Sequence, residues 1–335
     1  MLFHTRFVLL ASAACFGGVL VAGRLAEAQS TPADTASIFS IQGENSSISS
    51  AKVTDRFYTN GIHLGYQSAE DAYPSLAGIG RSLWGEGHQR IAIDISQQIY
   101  TPFDTASKIP PLGDRPYAGV LLATVSAVQD NANSRSTIGL SLGVVGPSAL
   151  GEEVQNGFHD LIGQKGNKGW KTQIHDEPVF AFNSSRVWRL PIGSVAALQT
   201  DALPALSANL GTLKIGAEAG VNIRLGQGLE NDFGAPRIRA VSGGDAFKRG
   251  GGFGWYVFAG VGGKAVARDV TLDGNTWRDS RSVKLKPFVG SADAGLAILA
   301  YGARLSYTQV LETQDFKKQK GGLHQFGSLA LSVRF

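Results

Sequence analysis

A two-residue hydrophobic period constrains this chain more than any other feature, and it persists to the last residue. Ile138, Leu140, Leu142 and Val144 alternate with Thr137, Gly139, Ser141 and Gly143. Ile215, Ala217, Ala219, Val221, Ile223 and Leu225 alternate with Lys214, Gly216, Glu218, Gly220, Asn222 and Arg224, so one face of that segment collects Lys, Glu, Asn and Arg. The final segment sets Leu329, Leu331, Val333 and Phe335 against Ser328, Ala330, Ser332 and Arg334. Successive side chains of a strand point to opposite faces. Alternation of this kind over about ten residues marks a strand with one face toward lipid and the other toward a polar lumen.

A soluble β-sandwich alternates too. The long segments, the small and charged residues on the polar faces, the 43 glycines and the closing aromatic residue favour a membrane barrel. The predicted fold is an all-β, transmembrane antiparallel β-barrel of about 12 strands. The strands lie near 35–45, 56–68, 89–101, 115–128, 134–146, 177–191, 196–209, 213–226, 253–268, 284–297, 300–312 and 323–335. An even count puts both termini on the periplasmic side, so connections from odd to even strands face outward. Two periplasmic connections, near 69–88 and 227–252, are longer than such barrels prefer, and nothing in their residues explains it.

Residues 1–28 read as a removable secretory signal: a short polar start with His4 and Arg6, an apolar stretch from Phe7 to Val21, and an Ala26-Glu27-Ala28 cleavage site. The expected mature chain, 29–335, is a single barrel domain. Cys15 is the only cysteine, so the mature chain has neither disulfides nor thiolate chemistry. Loss of two arginines and one glutamate with the leader takes the formal charge from +4 to +3, and no basic run supports a nucleic-acid partner.

One segment, PSALGEEVQNGFHDLIG (147–163), has a helical period instead. Val154, Phe158, Leu161 and Ile162 fall on one face, with Glu152, Gln155 and His159 on the adjoining polar face. Ser148 is the expected N-cap. The topology puts this short helix in an extracellular-side loop, covering the mouth or resting on the lumen wall.

Three blocks in order carry a family resemblance: DRFYTNGI (55–62), IYTP followed by GDRPYAG (99–102 and 113–119), and GVVGPSALGEEVQNGFHDLIG with a later GW (143–163 and 169–170). Together they resemble the LpxR-type lipid A 3′-O-deacylases of Gram-negative outer membranes. The resemblance implies an ester hydrolase that removes the 3′-linked acyloxyacyl group of lipid A, depends on calcium, and has lipopolysaccharide and outer-membrane lipids as partners. It matches His159 to the family's catalytic histidine, Thr59 to its active-site hydroxyl and Lys108 to its lysine. The family's Asn-Asp pair falls on Glu44-Asn45, in reversed order, making these two the candidate calcium ligands. An acidic residue six positions after the histidine is Lys165 here.

Ester hydrolysis needs a base for water and a charge or donor for the oxyanion. Glu44, Asn45, Thr59, Lys108 and His159 fall in or beside the first three outward connections and so can converge at one rim. By parity with Gly61 and His63, Thr59 faces the lumen; Glu44 does so with Ser40 and Gln42, while Asn45 points outward unless a bulge ends the strand. Asp114-Arg115 reads as a structural ion pair. No G-x-S-x-G elbow, zinc-binding H-E-x-x-H or P-loop appears. Two other classes remain: a porin or channel, and a non-catalytic lipopolysaccharide-binding surface protein.

Overall fold

The computed structural model describes residues 32–49, 56–236, 246–248 and 252–335, so the predicted leader lies outside the described residues. Alternation becomes strands wherever it was found: β1 (Ile38–Asn45), β2 (Phe57–Gln67), β3 (His88–Thr101), β4 (Ala118–Asp130), β5 (Ser134–Val145) and β6 (Glu177–Trp188). The second half adds β7 (Leu190–Val195), β8 (Leu198–Gly211), β9 (Lys214–Gln227), β10 (Gly254–Asp269), β11 (Phe288–Ala300), β12 (Ala303–Glu312) and β13 (His324–Arg334). Every pairing is antiparallel; β1 pairs with β13 and β6 with β8, which closes a twelve-stranded wall.

The thirteenth strand corrects the single segment expected at 177–191. β7 pairs with β8 as β6 does, but Arg189 separates the two. The Arg189 guanidinium turns to the Asp232 carbonyl at 2.8 Å and lies over the Phe233 ring, which interrupts the regular strand.

The two faces separate as the alternation requires. Ile93, Ile95, Val125, Leu140 and Leu142 are exposed on the outer wall. Asp94, Ser96, Thr124 and Ser141 are buried in the lumen, where Thr124 and Ser141 share a 2.8 Å hydrogen bond and His63 meets Asp94 at 2.8 Å. Polar groups shut away from water are costly unless paired, so the lumen is laced with hydrogen bonds and ion pairs. Arg135 grips Asp130 through two nitrogens, and Arg224 grips Asp201 in the same way.

The long connection after β9 has a physical reason. Its described residues, 228–236 and 246–248, fold back into the barrel at the end where the termini lie. Asp232 receives the Arg224 guanidinium, the Arg304 guanidinium and the Tyr256 hydroxyl. Arg135 and Arg334 donate to the carbonyls of Ala246 and Phe247. Burial alone would raise the Asp232 carboxyl, but Arg224 and Arg304 hold it down to about 2. Leu229, Ala246 and Phe247 pack with Ile38, Tyr256, Phe258, Ala297 and Leu299 as an apolar plug.

The opposite mouth is also covered. A short helix, here α3 (Val270–Asp273), buries Val270 against Ala118, Val120, Leu122 and Val179, and Leu272 against Phe57 and Phe316. Asn275 holds the His175 backbone from across the mouth, and Arg281 donates to the Pro110 and Pro111 carbonyls.

Two longer helices, α1 (Pro74–Trp84) and α2 (Gly151–Leu161), lie on the outside. α1 occupies the other long periplasmic connection.

Candidate active site

The helix predicted over the mouth or on the lumen wall rests on the outer wall instead. Gln97, Ile99 and Thr101 share parity with the exposed Ile93 and Ile95, so they face outward from β3. Gln97 Nε2 donates to the Ala149 carbonyl at 2.6 Å just before α2 begins. Ile99 is buried with Tyr117 and Trp170, against which Val154 of α2 packs. A Cβ on Gly119 of β4 would come 3.1 Å from the Gly151 nitrogen, so the helix start lies directly on the strand backbone.

Local chemistry at the helix start also differs from expectation. Ser148 is not the N-cap: its backbone N–H and hydroxyl both donate to Asp176, at 2.8 and 2.9 Å. Residues 147–149 form a 3-10 turn, and Leu150 precedes α2 in the left-handed region at φ 58°. That conformation is uncommon for a leucine and turns the chain abruptly onto the wall.

The amphipathicity of α2 is inverted relative to a water-soluble helix. Gly151, Gln155 and His159, at i, i+4 and i+8, are the buried side facing the barrel. Phe158 and Ile162 stand half-exposed and Leu161 is 82% exposed. A helix whose medium is hydrocarbon turns its apolar side outward.

Between this helix and β1–β2 lies a cleft lined by Asn45, Ser47, Thr59, Asn60, Val154, Gln155, Phe158, His159, Ile162 and Gln164. Thr59, Asn45 and His159, identified from distant parts of the sequence, therefore meet in one place. Thr59 does not follow its predicted lumen parity. The β2–β3 register slips between Tyr58 and Asn60, leaving Thr59 unpaired in a bulge. Tyr58 points inward, with its hydroxyl on Glu44 Oε2 at 2.7 Å, while Thr59 Oγ1 lies 2.6 Å from Thr101 Oγ1.

His159 is buried, and Nδ1 lies 3.3 Å from the Lys165 carbonyl oxygen. A carbonyl only accepts, so this contact puts a proton on Nδ1 and leaves Nε2 as the nitrogen through which the ring would act as a base. Lys165, where the resemblance expects an acid, contributes through its backbone; its side chain is exposed. Gln155 is fixed by the Trp170 indole N–H, which donates to Oε1 at 2.9 Å. Its Nε2 is buried without a hydrogen-bond partner and belongs to the cleft lining. Asn45 Oδ1 accepts from the Ser47 N–H at 2.7 Å, so Nδ2 is the donor that Asn45 has to offer.

Two expected members are elsewhere. Glu44 faces the lumen, 1% exposed, accepting from Tyr58 and from Gln42 Nε2 at 3.1 Å. Lys108 is exposed on the loop after β3 and is not in the cleft lining. That loop packs against the segment behind α2, where a Cβ on Gly169 would come 3.0 Å from the Ser107 carbonyl. The expected Asp114–Arg115 pair is divided: Asp114 accepts from the Phe103, Asp104 and Arg115 backbone, while the Arg115 side chain turns inward to Thr271.

The cleft does not fit a resident calcium ion. Calcium takes about six to eight oxygens, usually with carboxylates among them. The described lining supplies only amide and hydroxyl oxygens, and among the described residues no cluster of three or more His, Cys, Asp or Glu side chains is arranged to hold a metal.

Residues that the sequence did not single out are Asn60, Ser47, Gln164, Thr101 and the role of Gln155. Gln155 carried a signal, since it precedes His159 by one helical turn on the same face.

Comparison with known proteins agrees with this architecture. A family model described as outer membrane protein LpxR matches residues 9–335. Among solved structures, LpxR from Salmonella typhimurium superposes with a TM-score of 0.73 at 20% identity, covering 89% of this chain and 100% of that one. The β domain of the Bordetella autotransporter BrkA (TM-score 0.41, 8% identity, 90% and 99% coverage) and the translocator domain of NalP from Neisseria meningitidis (TM-score 0.38, 10% identity, 99% of each) are too distant to carry an argument. No curated protein sequence matches the chain.

Proposed function

The chain belongs to the LpxR family of Gram-negative outer-membrane barrels, and from that membership we propose that it hydrolyses the 3′-linked acyloxyacyl ester of lipid A. One observation carries the reading: a histidine anchored through Nδ1 on a backbone carbonyl shares a lipid-side cleft with hydroxyl and amide groups at the outward end of the barrel. Lipid A occupies the leaflet at that end, and Phe158, Leu161 and Ile162 offer an apolar surface to its acyl chains.

In the proposed reaction His159 Nε2 takes a proton from water as the water oxygen attacks the ester carbonyl carbon. Gln155 Nε2, and the amide donors of Asn45 and Asn60, stabilise the oxyanion that forms. The carbon–oxygen bond to the sugar then breaks, and His159 returns its proton to the departing alkoxide. The products are a free sugar hydroxyl and an acyloxyacyl acid. Thr59 orients the water or the carbonyl from its bulge. Lys108, on the flanking loop, meets the anionic headgroup. No step is routed through calcium.

Mass spectrometry of lipid A from cells with and without the protein tests this directly, with calcium supplied and then chelated. A loss equal to the 3′ acyloxyacyl mass is expected, and His159→Ala should lower its rate by about 10²- to 10⁴-fold while heat-modifiable migration on gels is kept. An unchanged lipid A spectrum from a correctly folded barrel would replace this reading with a lipopolysaccharide-binding one.

A further inference from the structure

α1 plays no part in the proposed reaction, yet it is seated with care. Its C-terminal turn is pinned to the barrel: Gln129 Nε2 donates to the Gly85 carbonyl at 2.7 Å, and Asn131 Nδ2 to the Trp84 carbonyl at 3.3 Å. A Cβ on Gly80 would come 2.0 Å from Gln129 Oε1 and 2.9 Å from Gln89 Oε1, so the helix lies directly on these two side chains. Trp84 is fully buried. Gln89 shares the outward parity of Ile91 and Ile93 on β3, and Gln129 that of Val125 and Ala127 on β4. The seat is therefore on the outer wall, at the periplasmic end.

One flank of α1, beside the face seated on the wall, is apolar. Leu76, Ile79 and Leu83 recur at i, i+3 and i+7, and Leu76 and Ile79 are exposed, as is Tyr73 just before the helix. Arg81 projects from the opposite edge, 3.9 Å from Glu86. This apolar stripe continues the lipid-facing band of Ile93, Ile95 and Val125 beyond the inner ends of β3 and β4. An amphipathic helix of this build rests at a membrane surface, with apolar side chains among the acyl tails and a cationic side chain at the phosphates.

We propose that α1 is an interfacial helix embedded in the phospholipid leaflet on the periplasmic side, docking on lipid rather than on protein. α2 meets the opposite leaflet on the same two strands, so β3–β4 carry one interfacial helix at each membrane surface. The pair fixes the depth at which the barrel rides. This assignment stands whether or not the chain is a deacylase.

The full-length barrel carrying Cys15→Ser and a single new cysteine (Leu76→Cys, Ile79→Cys, Arg81→Cys or Ile93→Cys) would be nitroxide-labelled and reconstituted in glycerophospholipid vesicles. Correct folding of each is confirmed by heat-modifiable migration. Collisions with dissolved oxygen and with an aqueous nickel chelate are then compared. Labels at 76 and 79 are expected to lose nickel collisions and gain oxygen collisions, as at 93, while the label at 81 keeps its nickel contact. Equal nickel contact at 76, 79 and 81 overturns the proposal. Protection at 76 and 79 from both agents means burial against a second copy, which overturns it too.

Discussion

The Thr59 and Thr101 hydroxyl oxygens lie 2.6 Å apart on neighbouring strands, at the point where β2 bulges. One of the two donates, and the pair is buried beneath the cleft. Thr101 thereby fixes the rotamer of Thr59. Thr59→Ser keeps the hydroxyl and should retain most deacylation, whereas Thr59→Val should lose about tenfold or more, the worth of one oriented hydrogen bond. Fatty-acid release from lipid A by mass spectrometry reads the difference; equal rates for the two variants would remove Thr59 from the mechanism.

Glu44 and Asn45 are adjacent in sequence and separated by the barrel wall. Glu44→Gln should therefore leave hydrolysis nearly unchanged and cost only about 1 kcal/mol of stability from weakened lumen hydrogen bonds. Asn45→Ala should slow the reaction without altering the fold. Chelators should have little effect on the unaltered protein, because the described lining holds no carboxylate. Asn45→Asp should introduce calcium sensitivity and terbium luminescence. Strong inhibition of the unaltered protein by chelation would contradict this account of the cleft.

Strands were legible because each carries its own two-residue period, and their observed ends fall within a few residues of those expected. Thr59 was misread for the same reason: parity counting assumes an unbroken ladder, and one extra residue reverses every inference beyond it. The helical period of α2 was equally clear, but a period separates two faces without saying which solvent each one meets. The helix was expected over the mouth or on the lumen wall, whereas its Gln155 and His159 side is held against the outer face of the barrel. The plug was invisible because Asp232 meets Arg304 and Tyr256 only once the later strands have brought them around it.

The plug also separates a barrel enzyme from a channel. Removing the Asp232 carboxylate takes a buried counter-charge from Arg304 and leaves Arg224 with Asp201 alone, so Asp232→Ala should cost about 3–5 kcal/mol, measurable as a lower unfolding midpoint in denaturant. In planar bilayers the unaltered protein should be non-conducting, and deletion of residues 229–248 should open steady conductance. Conductance from the intact protein would revive the porin reading.

Asp273 gives the outer cap a dependence on pH. Burial pushes its carboxyl up to about 6, with the Asp269 charge adding to the effect and the Asp269 N–H opposing it. Between the ordinary value of 3.8 and about 6, the folded cap keeps a proton that the unfolded chain has lost. Stability contributed here is thus present at acid pH and declines as pH rises through that window. Asp273→Asn should flatten the dependence. Amide protection factors across residues 270–274 report it; a cap that loosened on acidification would reverse the sign.

A reaction cleft that opens sideways from the barrel wall draws its substrate from a plane rather than from a volume. For such an enzyme the relevant concentration is a mole fraction in the leaflet, and encounter is limited by lateral diffusion. Turnover would then fall when lipid A is diluted by inert lipid at constant bulk amount, and would be indifferent to dilution of the whole suspension. The barrel serves as a raft that holds its reactive side at the level of the ester.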